Sequence, residues 1–379
     1  MKIVAVMKNW LGDLLFQMPA LDLIRQKYPN ASITCIAPER CREILEAHPA
    51  VSDFLSFDEK GTHRSWLARM RFVLELRKRG PWDQGYLFHR SRSRAVFLAL
   101  AGVKERIGYG KGRKGFLSQA VAEPVQPMHQ LDYFFNMMKG AGFELPAERE
   151  YRFFYKEEDE KKALEILQAN GIICSKGHCE EPRRGEAAIS LHKSKIASLA
   201  LCPASGGTRG RNDPEKYICF HLGANWAPKR WPIAHFAALA EKIEEKWQLP
   251  VVVTGSQNDG PLFEELMSKV RRAKIISLVG KTGLRVSAAI YKHAACLITG
   301  DSGPMHIASG VGASVIALFG PTNPKLTGPR GRGESIVLQY IPPGYTVPFF
   351  GKDLPEEGWL SRITPEEVLD AIERILRKA

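Results

Sequence analysis

Twice along this chain, short β-rich runs alternate with amphipathic helical stretches, and that repetition limits the fold more than any other feature. In the first set, Lys2–Met7, Ser32–Ala37, Phe54–Phe57 and Trp82–Phe88 read as strands. Leu14–Lys27, Glu39–Ala47, Arg64–Arg79 and Ser91–Ala101 read as the helices between them. In the second, Tyr217–Leu222, Pro250–Thr254, Ile275–Leu278, Cys296–Thr299 and Val315–Phe319 read as strands. Ile233–Trp247, Pro261–Val270, Arg285–Ala294 and Met305–Gly310 are their helices. Strands joined through helices of this length are parallel βαβ units. The expectation is an α/β protein of two Rossmann-like halves, with ligands at the carboxyl ends of the strands in the cleft between them.

A chain of 379 residues has room for two such domains. The expected division is an N-terminal domain over 1–165, a linker or insertion over 166–215, a C-terminal domain over 216–360 and a last helix over 361–379. Residues 174–215, with EEPRRGE, HKSKIAS and SGGTRGRND, lack hydrophobic periodicity and read as a long linker. The last helix opens with T-P-E-E, where Thr364 suits the N-cap and Pro365 the first turn.

No apolar run approaches the ~18 residues of a membrane span, and the few apolar residues before Lys8 suit a first strand better than a leader. The chain therefore reads as cytoplasmic. Its seven cysteines are odd in number and scattered. Cys174 and Cys179 flank His178, but no second pair completes a zinc site, so idle thiols are expected and no metal is assigned.

Charge gives a positive clue. There are 54 Lys and Arg against 41 Asp and Glu, and the excess is local: Lys60–Lys114 holds fifteen cations and three acids, Glu75, Asp83 and Glu105. Such a run predicts an anionic partner, or else a solvated basic face. Within it, Trp66, Leu67, Met70, Val73, Leu74 and Leu76 stand among Arg64, Arg69, Arg71, Arg77, Lys78 and Arg79. A basic amphipathic helix of this kind can lie on a membrane, although a stripe packing on the sheet is the commoner meaning. No motif of a nucleic-acid module is present, so nucleic acid is not an expected partner.

Three strand-to-helix loops carry chemistry. T-G-D-S-G-P-M-H, Thr299–His306, places free backbone N–H groups and a helix dipole where an anion binds, with Asp301 and Ser302 as candidate caps. G-A-N-W-A-P-K-R-W-P, Gly223–Pro232, sets Lys229 and Arg230 side by side, as diphosphate recognition requires. N-W-L-G-D, Asn9–Asp13, ends the first strand. Asp13 is either a helix cap or, if it faces the cleft, a general base. Gly110, Gly112 and Gly115 formally match G-x-G-x-x-G but open no helix, and read as a basic loop.

Together with R-I-G-Y (106–109), T-G-S-Q-N-D (254–259), G-K-T-G-L (280–284) and L-F-G-P-T (318–322), these motifs resemble the glycosyltransferase family 9 heptosyltransferases, from Lys2 to about Pro329. The resemblance implies a GT-B fold: two Rossmann-like parallel-sheet domains facing across a cleft, with the C-terminal helix packing back on the N-terminal domain. It implies inverting transfer of L-glycero-D-manno-heptose from ADP-heptose to the inner core of lipopolysaccharide, with no cofactor or essential metal. By motif position Asp13 is the general base and Lys229 neutralises the leaving diphosphate. Asn225, Arg230, Asp259, Asp301, Ser302, Gly303 and His306 line the donor site. Asn9, Trp10, Arg90, Arg92, Arg94, Lys111, Arg113 and Lys114 are acceptor contacts. The acceptor is a Kdo- or heptosyl-Kdo-lipid A, so peripheral contact with the anionic inner membrane follows. Another nucleotide sugar or glycan acceptor on the same fold is the alternative.

Overall fold

In the computed structural model, described here for residues 1–172, 216–341 and 358–378, the chain forms two six-stranded, wholly parallel sheets. The expected insertion, apart from residues 166–172, lies outside the described residues, as do Cys174, Cys179 and Cys202.

The first sheet is built from β1 (Lys2–Val6), β2 (Ser32–Ala37), β3 (Asp53–Ser56), β4 (Gln84–Leu87), β5 (Glu105–Tyr109) and β6 (Gln119–Val121). Its order is β3-β2-β1-β4-β5-β6. Around it lie α1 (Leu11–Leu15), α2 (Met18–Lys27), α3 (Arg42–Leu45), α4 (Trp66–Arg79), α5 (Arg92–Leu100) and α6 (Gln130–Gly140). After α7 (Glu157–Ala169) the second sheet is built from β7 (Ile218–His221), β8 (Val251–Gly255), β9 (Ile275–Val279), β10 (Cys296–Gly300), β11 (Val315–Phe319) and β12 (Ser335–Gln339). It repeats the first order, β9-β8-β7-β10-β11-β12. Its helices are α8 (Ile233–Trp247), α9 (Gly260–Lys269), α10 (Leu284–His293), α11 (Gly303–Gly310), α12 (Pro324–Thr327) and α13 (Pro365–Lys378).

Both orders reverse direction beside the first strand of the half, at β1/β4 and at β7/β10, the switch point where such sheets take ligands. The central strands are apolar and buried on both faces because helices cover both sides; β7, β10 and β11 are buried throughout.

Two expected boundaries move. Tyr151 N donates to Arg330 O and Phe153 N to Gly310 O, so the chain has reached the second half before residue 165. Helix α7 then packs on α10, with His293 Nε2 2.8 Å from Glu160 Oε1 and Ala163 and Leu167 buried. At the other end, α13 does not return to the N-terminal domain. Its apolar stripe, Val368, Ala371, Ile372 and Ile375, packs on α8 and β11, and Lys242–Glu366 (3.0 Å) and Lys246–Glu373 (2.6 Å) flank the seam. The stripe fits the second sheet because α8 offers Phe236, Leu239, Ala240 and Ile243 beside it. The start of α13 is capped as the sequence suggests: Glu367 N donates to Thr364 Oγ1 and Thr364 N to Glu367 Oε2.

Candidate active site

The carboxyl ends of β1, β7 and β10 carry the three loops singled out in the sequence, and the fold brings them together. After β1 the chain turns through Asn9 and Trp10 into α1. Asp13, in the first turn of that helix, accepts a hydrogen bond from Lys8 Nζ on Oδ1 at 3.0 Å. The Asp13 carbonyl is held by Gln17 Nε2 at 2.7 Å. Asp13 Oδ2 has no partner among the described residues, and the side chain is partly exposed. Asp13 is thus no helix cap; Trp10 holds the N-cap position.

This first turn of α1 lies against the start of α11. A Cβ on Gly12 would meet the His306 ring at 2.9 Å, and one on Gly303 would collide with the Leu11 side chain. Glycine at both positions leaves room for this close approach, which sets Asp13 beside the N-terminus of α11 across the domain boundary.

Asp301 and Ser302 do not cap α11, contrary to the sequence reading. Asp301, buried, pairs with Lys229 Nζ at 2.6 Å and accepts from Thr322 Oγ1 at 2.8 Å, while Ser302 Oγ lies 3.0 Å from Thr299 Oγ1. With its Oδ2 committed to a cation and a hydroxyl, the Asp301 carboxylate is held towards them and makes no bond to the helix. The first N–H groups of α11 are left without a side-chain cap, in the arrangement that favours an anion. The Lys229 backbone carbonyl lies directly over Gly300, so the 223–230 loop rests on the start of the 300–306 loop. Arg230, exposed, donates from Nε to Ala224 O at 2.9 Å, and Asn225 is exposed in the same loop.

Asp259 accepts from Ser256 N at 2.7 Å and Ser256 Oγ at 2.8 Å, and packs against Gly223 and Gly255. It ties the β8 loop to the 223–230 loop, and one carboxylate oxygen is already occupied as a cap.

His306 is buried. Its Nδ1 lies 2.9 Å from Tyr151 OH, and Phe16 meets its ring edge-on at 4.8 Å. Burial is the main reason its pKa falls to about 4; His129 and Lys229 push the same way, while Asp301 and Asp13 oppose them. The imidazole is therefore neutral near pH 7.

On the first half, the expected acceptor cations divide. Arg90, Arg92, Lys111 and Lys114 are exposed around the carboxyl ends of β4 and β5, with Arg90 Nε 3.0 Å from Tyr133 OH. Arg94 and Arg113 are buried, which removes them as surface contacts. Arg94 donates to Met7 O at 3.2 Å and Asn9 Oδ1 at 3.0 Å; Arg113 pairs with Glu123 at 2.9 Å and donates to His89 O at 3.1 Å. They hold the β1 and β4 loops in shape. His89 reports the field they help create: burial first, then Arg94, Lys8 and Arg113, lower its pKa to about 3. Trp10 stands exposed with the Arg40 guanidinium 5.2 Å from its ring centre, and Arg40 Nε donates to Asn9 O at 3.0 Å.

Several members of the site escape sequence reasoning. Lys8, Arg40, Tyr151 and His129 lie in no motif, and Thr322 ends the quoted L-F-G-P-T without a signal that it would reach Asp301.

Two facing Rossmann-like units, with uncapped N–H groups, a lysine and a carboxylate converging between them, define a GT-B glycosyltransferase. The chain belongs to glycosyltransferase family 9 (heptosyltransferase), whose model matches residues 69–346. It is 26% identical over the whole of both chains to lipooligosaccharide heptosyltransferase 2 of Haemophilus influenzae, and 25% identical over 99% of each to lipopolysaccharide heptosyltransferase 2 of Escherichia coli K12. Among solved structures it matches E. coli ADP-heptose lipopolysaccharide heptosyltransferase II with a TM-score of 0.73 at 21% identity, covering 100% of this chain and 99% of that one. A family 9 glycosyltransferase of Veillonella parvula gives 0.79 at 22% identity, covering 100% and 98%.

Proposed function

We propose that this enzyme transfers L-glycero-D-manno-heptose from ADP-heptose to the inner core of lipopolysaccharide, in one displacement that inverts the anomeric centre. The relatives named for lipopolysaccharide and lipooligosaccharide heptosyltransferase 2 support heptosyl transfer to this acceptor class, and the matching E. coli ADP-heptose lipopolysaccharide heptosyltransferase II supports the donor. The observation that carries the mechanism is the seating of the Asp13 turn against α11, with Gly12 on His306 and Leu11 on Gly303.

In this reading the acceptor hydroxyl gives its proton to the free Oδ2 of Asp13 as its oxygen attacks the anomeric carbon. The bond to ADP breaks on the opposite face, and negative charge grows on the diphosphate. Lys229, Arg230 and the N–H groups at Ser302–Gly303 meet that charge. Stabilisation placed where charge develops lowers the barrier most. Asn225 and Asp259 border the same donor pocket. A covalent intermediate would need a second carboxylate placed to attack; Asp301 is buried, with Lys229 Nζ and Thr322 Oγ1 both on its Oδ2, which argues against that role. No metal or cofactor takes part.

Asn9, Trp10, Arg90, Arg92, Lys111 and Lys114 receive the phosphates and carboxylates of the acceptor, with Arg94 and Arg113 acting through the loops they brace. The acceptor is lipid-borne, so the enzyme works from the cytoplasm as a peripheral protein at the inner face of the inner membrane. No helix among the described residues is long and apolar enough to cross a membrane.

The test is turnover by purified protein of a panel of ADP, UDP and GDP sugars with a Kdo- or heptosyl-Kdo-lipid A acceptor. ADP release and a heptose mass increment, with ADP-heptose alone and without added metal, are expected. Preference for another nucleotide sugar contradicts the proposal.

A further inference from the structure

Helix α4 buries one face and leaves another bare. Phe72, Val73 and Leu76 pack on the first sheet, but Trp66, Leu67 and Leu74 are 70%, 61% and 56% exposed. The expectation that this apolar stripe serves the core therefore holds for only part of it. At 100° per residue, Leu67, Arg71, Leu74 and Lys78 fall within about 60° of one another, opposite the buried side, with Trp66 and Arg77 on its border. Arg69 and Arg79 are occupied, by Glu59 at 3.7 Å and by Asp53 and Glu75 at 2.9 Å each. Arg71, Arg77 and Lys78 form no ion pair among the described residues.

We propose that this face of α4 is a docking surface for an anionic lipid bilayer. Apolar side chains alternating with free cations match a bilayer surface. Trp and Leu enter between headgroups while Arg and Lys meet the lipid phosphates. A second copy of the chain would set these cations against themselves. The placement is apt. Helix α4 follows the carboxyl end of β3, so its Trp66 end lies at the edge of the sheet that carries the Asn9–Asp13 loop. Arg94, which holds Asn9, lies 5.3 Å from the Phe57 ring, and Phe57 packs at 4.6 Å on Phe72 of α4. Docking through α4 would bring the acceptor side of the cleft to a lipid-borne acceptor, which rests on the function proposed above; the surface itself does not.

The experiment is flotation of the full chain with vesicles of phosphatidylcholine alone, or with about one third phosphatidylglycerol, at low and high salt. Wild type is expected to bind the anionic vesicles, weakly at high salt and little to neutral ones. The Trp66→Ser/Leu67→Ser/Leu74→Ser and Arg71→Glu/Lys78→Glu variants are expected to bind roughly tenfold or more weakly. Both should keep the wild-type melting curve and the same ADP release on an acyl-free soluble acceptor. Flotation of the variants like wild type would overturn the proposal, as would failure of wild type to bind or a wild-type dimer that the serine variant dissociates. If the heptosyl reading alone is wrong, ADP release is absent in every protein while the flotation difference persists.

Discussion

Gly12 of the first half lies against the His306 imidazole of the second, close enough that a single methyl group would sit 2.9 Å from Cδ2. His306 cannot retreat, because Phe16 and Tyr151 hold it from other sides. Gly12→Ala is therefore expected to push the two halves apart. It should cost about 1–3 kcal/mol of stability, the usual range for overpacking, and lower kcat more than it raises the donor KM. Urea unfolding beside steady-state kinetics checks this; unchanged values in both would mean that the halves do not meet here.

The Lys229–Asp301 pair makes a second prediction. Lys229→Met leaves a carboxylate that is 7% exposed with Thr322 as its remaining side-chain partner. The loss should be about 1–3 kcal/mol of stability, together with weaker ADP binding and a kcat lowered by roughly 10²–10³. Asp301→Asn in the same background should restore much of the stability and none of the activity. Calorimetric ADP titration and thermal melts separate the two effects.

Stability should also depend on pH in a stated direction. Burial lowers the pKa values of His306 and His129 to about 4, and those of His48 and His89 to about 3. Each ring is neutral in the fold but takes a proton when the chain unfolds below about pH 6.5. The unfolded state thus binds more protons between the two values, so stability is full above pH 6.5 and falls as pH drops towards 4. For His306 alone this is roughly 3 kcal/mol. Asp22 works the other way: burial raises its pKa to about 6 against the lowering effect of Arg152, so it favours the folded state below that pH. Burial lowers the values of His63 and His221 as well, so with six rings against the Asp22 carboxyl, denaturant midpoints should decline from pH 7 to pH 4.5, and His306→Gln should flatten the decline. A midpoint that rises on acidification would contradict this balance.

Arg94 offers a test of positioning. Burial lowers its pKa to about 10, with Glu59 opposing, so its charge already costs free energy in the fold. Arg94→Met should therefore lose only about 1–2 kcal/mol while releasing Asn9 and the Met7 carbonyl. The acceptor KM should rise roughly tenfold with the donor KM unchanged; equal changes in both would deny Arg94 a specific part.

Much of this arrangement was legible from residue order alone. Central strands such as Ser32–Ala37 and Val315–Phe319 were found at their observed limits because buried parallel strands are continuous apolar runs. The edge strands β3 and β9 were legible too, but β6 and β12 were not: β6 has three residues and β12 is half-exposed, so neither leaves a pattern. Helices α6 and α7 are not evident from the sequence pattern, although α7 opens with four acids. The burial of Arg94 and Arg113 runs against the ordinary tendency of arginine, and only the tertiary structure supplies the carbonyls, the Asn9 amide oxygen and the Glu123 carboxylate that their terminal NH groups meet. The loops at Asp13, Lys229 and Ser302 were legible because strand-to-helix turns with Gly, Pro and charge have few structural uses. The engagement of Asp301 by Lys229 was not, since the two lie 72 positions apart.

The proposed role of Asp13 as the base facing the donor loops is measured directly by single-turnover transfer with Asp13→Asn. The amide keeps the size of the side chain, so ADP-heptose should bind as it does to wild type while the transfer step slows by about 10²–10⁴. Transfer at the wild-type rate, with donor binding intact, would contradict it.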